Sequence, residues 1–423
     1  MNVLLVGGGG REHALAWKLG RSPRLTRLVA APGNPGIAQH AECVAISVDD
    51  HDGLVRLAQK ERPDLVVVGP DAPLVAGLAD RLGDAGFAVF GPRARAAAIE
   101  GSKAFSKALM ARHGVPTARF ATFDDAALAR RFARELGAPL VVKTDGLAAG
   151  KGAIICATLA EADDAIAACL ERREFGVAGS RVIIEEFLVG EEVSFFVLVN
   201  GRTATPLAAA QDHKAVFDGD RGPNTGGMGT FSPVAVFDAG MQARVMTSLV
   251  HPTITALAEA GTPYSGVLFV QLMLTAEGPK IVEFNCRFGD PECQVILAPM
   301  DADLLPILAA VAEGGLPPAI TVARRAAVCV VLASGGYPGK YSTGFAITGI
   351  DEAESIPGVE VFHAGTARRD GRLVTAGGRV LGVTAAGDDV PRAVDAAYEA
   401  VGRIRFEGMH FRRDIGRRRP VAA

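Results

Sequence analysis

Residues 140–155 read Leu140-Val141-Val142-Lys143-Thr144-Asp145-Gly146-Leu147-Ala148-Ala149-Gly150-Lys151-Gly152-Ala153-Ile154-Ile155, and the interpretation of that glycine-rich turn decides what kind of α/β protein this is. A Walker A loop needs four residues between its first two glycines and a Ser or Thr after its lysine. Here three residues separate Gly146 from Gly150, and Gly152 follows Lys151. The flanks differ as well: one strand-like run enters and another leaves. The pattern therefore predicts a long β-hairpin able to fold over a triphosphate, with Lys143 on the rigid strand beneath it. A hairpin with so little side-chain mass is expected to move when empty and to become ordered around nucleotide. A plain surface hairpin with solvated lysines is the other interpretation.

Outward from the hairpin, Val182–Leu188 reads as a strand carrying Glu185, with Glu192 soon after. An extended backbone beside an apolar cleft can pair with adenine, and Glu192 could take the ribose hydroxyls, although both could be surface charges. Upstream, Ser102 opens a helix to His113, and Lys103 in its first turn opposes the macrodipole, a hint that its charge serves something else. Downstream stands Glu283-Phe284-Asn285-Cys286-Arg287-Phe288-Gly289-Asp290-Pro291-Glu292-Cys293-Gln294. It follows the strand-like Pro279–Val282, so Glu283 and Asn285 share a face. Two hard oxygen ligands at that spacing suit Mg²⁺ or Mn²⁺. Asp290 reads as an N-cap with Pro291 in the first turn. A helix start alone would account for Asp290 and Glu292, but not for Arg287 beside the Glu283 and Asn285 pair.

The first hundred residues alternate buried strands (Val3–Val6, Leu28–Ala31, Cys43–Ile46, Leu65–Val68, Ala88–Phe90) with helical crossovers (His13–Leu19, Leu54–Lys60, Leu74–Gly83), the pattern of a doubly wound parallel sheet. Ligands of such sheets sit at the strands' carboxyl ends. Those ends offer Gly7-Gly8-Gly9-Gly10-Arg11, Gly33-Asn34 and Gly69-Pro70-Asp71. The first loop resembles a dinucleotide fingerprint but fails it twice, because Glu12 occupies the third glycine position and no acid follows near Leu28–Gly36, which argues against NAD. The amides of Gly9 and Gly10 at a helix start, with Arg11 adjacent, could still hold a small phosphorylated substrate; a bare strand-to-helix turn is the alternative. Pro92 to about Gly101 reads as a connection.

Composition sets limits. The chain has 423 residues, 22 % charged, with a formal net charge of −3, which argues against a general nucleic-acid binder. Its 50 glycines, about 12 % against a usual ~7 %, point to backbone-lined sites. Six cysteines without metal spacing suggest reduced thiols in a cytoplasmic protein. No leader and no membrane span is read from the sequence. Arg412-Arg413 and Arg417-Arg418-Arg419 read as a short solvated basic end.

Together GGGGREH (7–13), APGN (31–34), GPDAPL (69–74), GSKAF (101–105), KTDGLAAGKG (143–152), EEFL (185–188), QDHK (211–214), GPNTGGMG (222–229) and EFNCRFGDPE (283–292) resemble the ATP-grasp enzymes. Within them they resemble the phosphoribosylamine–glycine ligase (glycinamide ribonucleotide synthetase) family, across essentially the whole chain. The resemblance implies ATP-dependent ligation of glycine to 5-phosphoribosylamine through a glycyl phosphate. It implies that Lys103, Lys143 and Lys151, with Gly150 and Gly152, hold ATP phosphates, that Glu185 and Leu188 flank adenine, that Glu192 binds ribose and that Glu283 and Asn285 hold the metal. Arg287 and the Asn224, Thr225, Gly226 and Gly227 loop become candidates for glycine and the transferring phosphoryl group. Gly289 and Asp290 join the substrate-binding set with Gly9, Gly10, Arg11, Gly33, Asn34 and Asp71. Asp212, His213 and Lys214 are candidates near the ribosyl phosphate or the attacking amine, with His213 the candidate general base. Ser265–Thr275 supplies no further metal acid, only Gln271, so the ion is expected to enter largely with ATP. The implied organisation is an α/β chain. A substrate-binding doubly wound domain spans 1–101, and an ATP-grasp module spans 102–324 with a lid lobe at about 118–190. A small, mainly β domain of little catalytic content spans 325–423. Partners are expected to be small molecules, with no nucleic acid and no membrane, in a monomer. A carboxylase of the same superfamily acting on another phosphoribosyl purine precursor is the rival.

Overall fold

The computed structural model describes residues 1–147, 152–316, 320 and 325–417. The N-terminal sheet is parallel throughout, in the order Glu42–Cys43, Arg27–Pro32, Asn2–Gly7, Leu65–Val68, Val89–Phe90. Its central strands are continuous apolar runs because helices cover both faces. The segment expected as one crossover at Leu74–Gly83 is two helices, Asp71–Val75 and Leu78–Asp84, broken at Gly77 with φ +90°. The expected connection at Pro92–Gly101 is also helical over Ala94–Gly101, because Ala96, Ala97 and Ile99 bury one face. Ser102 then caps the helix Lys103–Arg112, its hydroxyl accepting from Phe105 N at 3.1 Å.

A second, antiparallel sheet orders Phe120–Phe123, Val182–Glu186, Leu140–Thr144 and Ala153–Cys156. Leu140, Val142, Val182 and Ile184 pack on Ala129, Ala133 and Ile166 from the covering helices. The glycine-rich hairpin leaves this sheet with Lys143 opposite Ala153. Its tip at 148–151, including Gly150 and Lys151, lies outside the described residues, as does the ordering expected of it.

The largest sheet has eight strands, in the order Gly278–Asn285, Tyr264–Thr275, Glu191–Gly201, Thr203–Asp212, Gly229–Ser232, Ala326–Ala333, Arg379–Gly387, Val359–His363. Its last three strands come from the C-terminal region, joined by the pairing of Phe231 with Val328. The helix Val390–Val401 covers that end, burying Val394, Ala397 and Val401 against Val328 and Val383. One continuous ladder therefore carries residues after 325 into the wall of the central cleft. The basic end follows expectation at Arg413 and Arg417, which are exposed, but not at Arg412, while Arg418 and Arg419 lie outside the described residues. Arg412 is fully buried, pairing with Asp220 at 2.9 Å and Asp414 at 2.6 Å and donating to Ala215 O at 3.0 Å. It is an internal anchor, and one of its two neutralising acids, Asp220, lies 192 positions away in the chain.

Candidate active site

The three sheets enclose one cavity of about 540 Å³. Lys103, Lys143, Glu185, Leu188, Glu192, Asp212, Lys214, Asn224, Thr225, Gly226, Glu283, Asn285, Arg287 and Asp290 all line it, and Arg11 and Asp71 reach it from the N-terminal sheet. Gly152 closes the described part of the hairpin over it.

Each cation is placed by its element. Lys103 opens the helix that Ser102 caps, and Asp145 from the hairpin accepts from Ser102 Oγ at 2.9 Å and Ala104 N at 3.1 Å. A carboxylate at the helix start offsets the dipole that Lys103 opposes. Lys103 Nζ reaches Gly146 O at 3.4 Å. Lys143 donates to Glu185 Oε2 at 3.1 Å and to Val282 O at 3.3 Å. Lys214 pairs with Glu192 Oε1 at 2.7 Å. Burial would lower the Lys214 pKa, but Glu192, Glu283 and Asp212 raise it, so the ammonium stays charged. Arg287 is held by Glu100 at 3.2 Å, and its Nε is buried without a hydrogen-bond partner among the described residues. Opposite the cations stands Glu283. Burial would raise its pKa, yet Lys103, Lys143, Lys214 and Arg287 outweigh that and hold it at about 2.

Glu283 and Asn285 both project into the cavity from the strand Gly278–Asn285, with Gln271 opposite Glu283 on the neighbouring strand. Among the described residues no group of three or more His, Cys, Asp or Glu side chains converges as a metal cage. One fully ionised carboxylate and one amide oxygen fit a divalent cation that takes its remaining ligands from water and phosphate.

Several expected ligands are engaged by the protein itself, and some of them lie outside the cavity lining. Glu12 takes the helix-start amide of Gly9 at 2.7 Å, and Asp290 Oδ2 takes Arg11 N at 3.3 Å. At the anion site read into Gly9 and Gly10, the protein's own carboxylates thus take the amides of Gly9 and Arg11. Glu12, three residues after Gly9, has capping-box spacing, a signal visible in the sequence. Arg11 is buried, clamped by Glu12 at 2.6 Å and by Phe288 O at 3.1 Å. Asn34 is saturated as a brace: it donates to Gly8 O and His363 O and accepts from Gly36 N and Ile37 N, all at 2.8–2.9 Å, while Gly33 packs on the Cys43 thiol. Asp290 does not cap the helix that follows it by its side chain. The helix Glu292–Leu297 has Pro291 at its N-cap, and the Asp290 carboxylate instead accepts from Gln294 at 3.0 Å and faces Arg379 at 3.7 Å. Gly289 sits beneath the Glu292 carboxylate, outside the cavity lining. His213 is fully buried behind the wall, its ring 6.0 Å from Phe231 and its Nδ1 3.3 Å from Gly229 O. It does not line the cavity, so it is badly placed for a general base.

Asp212 does line the cavity, and burial with Glu292 nearby raises its pKa well above the usual carboxylate range. Glu292 is raised too, chiefly by burial, and accepts from Ser194 Oγ at 3.2 Å. Sequence reasoning missed three further residues. Lys107 and Glu185 form a buried ion pair at 2.9 Å. Arg379 donates to Gly226 O at 2.8 Å and Asp290 O at 2.5 Å, and the Tyr337 hydroxyl accepts from Gly226 N at 3.2 Å. These contacts brace the Asn224–Gly227 loop, where Gly227 has φ +114° and a Cβ would meet Pro291 Cδ at 2.7 Å.

A nucleotide-sized, cation-lined cleft between a glycine hairpin and an acid-bearing sheet is the construction of an ATP-grasp protein. The same fold recurs in the biotin carboxylase domain of 2-oxoglutarate carboxylase from Hydrogenobacter thermophilus, solved with MgADP, ADP and bicarbonate. That likeness has a TM-score of 0.74 at 18 % identity, over 97 % of this chain and 91 % of that one. Family models are more specific: those of phosphoribosylglycinamide synthetase match as N domain at residues 1–100, ATP-grasp (A) domain at 101–293 and C domain at 327–418. The phosphoribosylamine–glycine ligase of Brucella melitensis is 51 % identical over 417 residues, 98 % of this chain and 97 % of that one. The crystal structure of the Thermotoga maritima phosphoribosylamine–glycine ligase superposes with a TM-score of 0.86 at 33 % identity, over 98 % of this chain and all of that one. The chain belongs to the phosphoribosylglycinamide synthetase family of ATP-grasp ligases.

Proposed function

We propose that the cleft joins glycine to 5-phosphoribosylamine at the expense of ATP, giving glycinamide ribonucleotide, ADP and phosphate in purine biosynthesis. The observation that carries this reading is the convergence of Lys103, Lys143, Lys214 and Arg287 around the ionised Glu283 in one cavity that Arg11 and Asp71 also enter. Lys103 and Lys143 hold the phosphates. The strand end at Glu185–Leu188 flanks adenine. Glu192 takes ribose, with Lys214 as its counter-ion.

A glycine carboxylate oxygen attacks the γ-phosphorus as the bond to ADP breaks, giving glycyl phosphate. That approach of two anions is possible because fixed cations replace solvent. Arg287, whose Nε has no hydrogen-bond partner among the described residues, and the Asn224–Gly227 loop hold glycine. The amine of phosphoribosylamine then attacks the carbonyl carbon, the C–N bond forms and phosphate departs. The amine proton passes to the Asp212 and Glu292 carboxyl pair, whose raised pKa values suit a proton acceptor. Glu283 and Asn285 are the residues that would hold Mg²⁺ or Mn²⁺. The ion would neutralise phosphate charge.

The cleft is completed within one chain, which favours a monomer, and six free thiols suit the reducing cytoplasm. ADP release with ATP and Mg²⁺ tests the reading. It should require glycine and phosphoribosylamine together, and omitting either should abolish it. ADP release driven by bicarbonate without glycine would favour a carboxylase instead.

A further inference from the structure

Glu185 stands between two lysines. Its Oε2 accepts from Lys107 Nζ at 2.9 Å and from Lys143 Nζ at 3.1 Å, whereas Oε1 is buried with no hydrogen-bond partner among the described residues. All three side chains are 3–5 % exposed. The two lysines are held differently. Lys143 lies beneath the hairpin, and its other contact is the 3.3 Å approach to Val282 O. Lys107 is locked at both ends of its reach. Its Nζ also donates to Thr117 Oγ1 at 2.7 Å, and that hydroxyl donates to Ile281 O at 2.6 Å.

We propose that Lys107 is a positioning residue: as the permanent counter-ion of Glu185, it frees Lys143 to leave that carboxylate for the nucleotide phosphates. This rests on the reading that ATP binds this cleft with Lys143 at its phosphates. A carboxylate buried this deeply is costly to leave unpaired. With Lys143 as its sole partner, Glu185 would hold that ammonium against any incoming anion. With Lys107 fixed beside the same oxygen, Lys143 can swing away and the charge stays matched. The lysines also repel each other. Burial lowers the Lys107 pKa to about 8, with Glu185 opposing that shift and Lys143 adding to it. Drawing Lys143 toward phosphate relieves that repulsion and strengthens the Lys107 and Glu185 pair.

The prediction is a coupling between two sites, which calorimetric titration with ATP measures in the full-length protein. Lys107→Met should weaken ATP binding by at least ~10-fold, whereas the same substitution in a Glu185→Gln background should weaken it by less than ~3-fold, because no carboxylate is then left to capture Lys143. Thr117→Val keeps the lysine but removes its anchor, and it should weaken ATP in the wild-type background only. That cycle decides the matter if Lys107→Met alone does not fold. Equal losses in both backgrounds, or unchanged affinity in folded Lys107→Met, would overturn the proposal. A wild-type protein that fails to bind ATP would instead overturn the nucleotide reading beneath it.

Discussion

Glu283 is the charge about which the cleft is balanced, since four cations depress its pKa and no second acid shares its strand face. Glu283→Gln keeps the volume and removes the charge. It should raise the Mg²⁺ concentration needed for half-maximal turnover by ~10-fold or more while leaving the melting temperature within a few degrees. An unchanged metal titration would remove Glu283 from the metal site, and loss of folding would make it a structural counter-charge. This pair was legible in the sequence because strand alternation places residues two apart on one face. Lys107 was not, since a lysine one helical turn beyond Lys103 looks like any solvated side chain until Thr117 and Glu185 close around it. The same limit applies to Arg412, whose partners Asp220 and Ala215 are almost two hundred positions away.

At the level of elements, the C-terminal strand Arg379–Gly387 reaches the chemistry through its first residue. Arg379 bridges the Asn224–Gly227 loop to Asp290, two segments that the sequence marked as glycine-rich or charged but could not join. The pairing of Gly229–Ser232 with Ala326–Ala333, and of that strand with Arg379–Gly387, brings it to the cleft. Arg379→Gln should therefore lower kcat/KM for glycine by ~10-fold or more, a charge-assisted bond being worth roughly 1.5–3 kcal/mol. ATP affinity should change by less than ~3-fold, because the nucleotide residues lie on other strands. Equal losses for both substrates would place Arg379 in a general closure of the cleft and not in the loop alone. The first helix gives the opposite lesson. Its glycine-rich entry reads as a phosphate cradle, whereas the amides of Gly9 and Arg11 there are taken by Glu12 and Asp290.

For the whole molecule, the first helix also docks the C-terminal region onto the N-terminal sheet. His13 Nδ1 accepts from His363 N at 2.7 Å, so that nitrogen must be unprotonated. Burial, with His363 and His40 nearby, lowers the His13 pKa well below its ordinary value. A histidine depressed on folding binds fewer protons folded than unfolded, so its contribution to stability is present above about pH 6.5 and is lost as pH falls below that. Asp212 and Glu292, raised on folding, act in the other direction. The histidine's share is therefore read as a difference from His13→Gln, which keeps an acceptor for the His363 amide. Between pH 6.5 and 5 the wild type should lose up to about 1.4 kcal/mol per pH unit relative to that variant in urea unfolding. A difference independent of pH would mean that His13 does not titrate on unfolding. In the proposed reaction glycine's carboxylate, not the amine of phosphoribosylamine, meets ATP first. Glycine labelled with ¹⁸O in its carboxylate tests that order directly. The inorganic phosphate formed with ATP and phosphoribosylamine should carry one labelled oxygen per turnover, and phosphate free of label would contradict the glycyl phosphate on which the account depends.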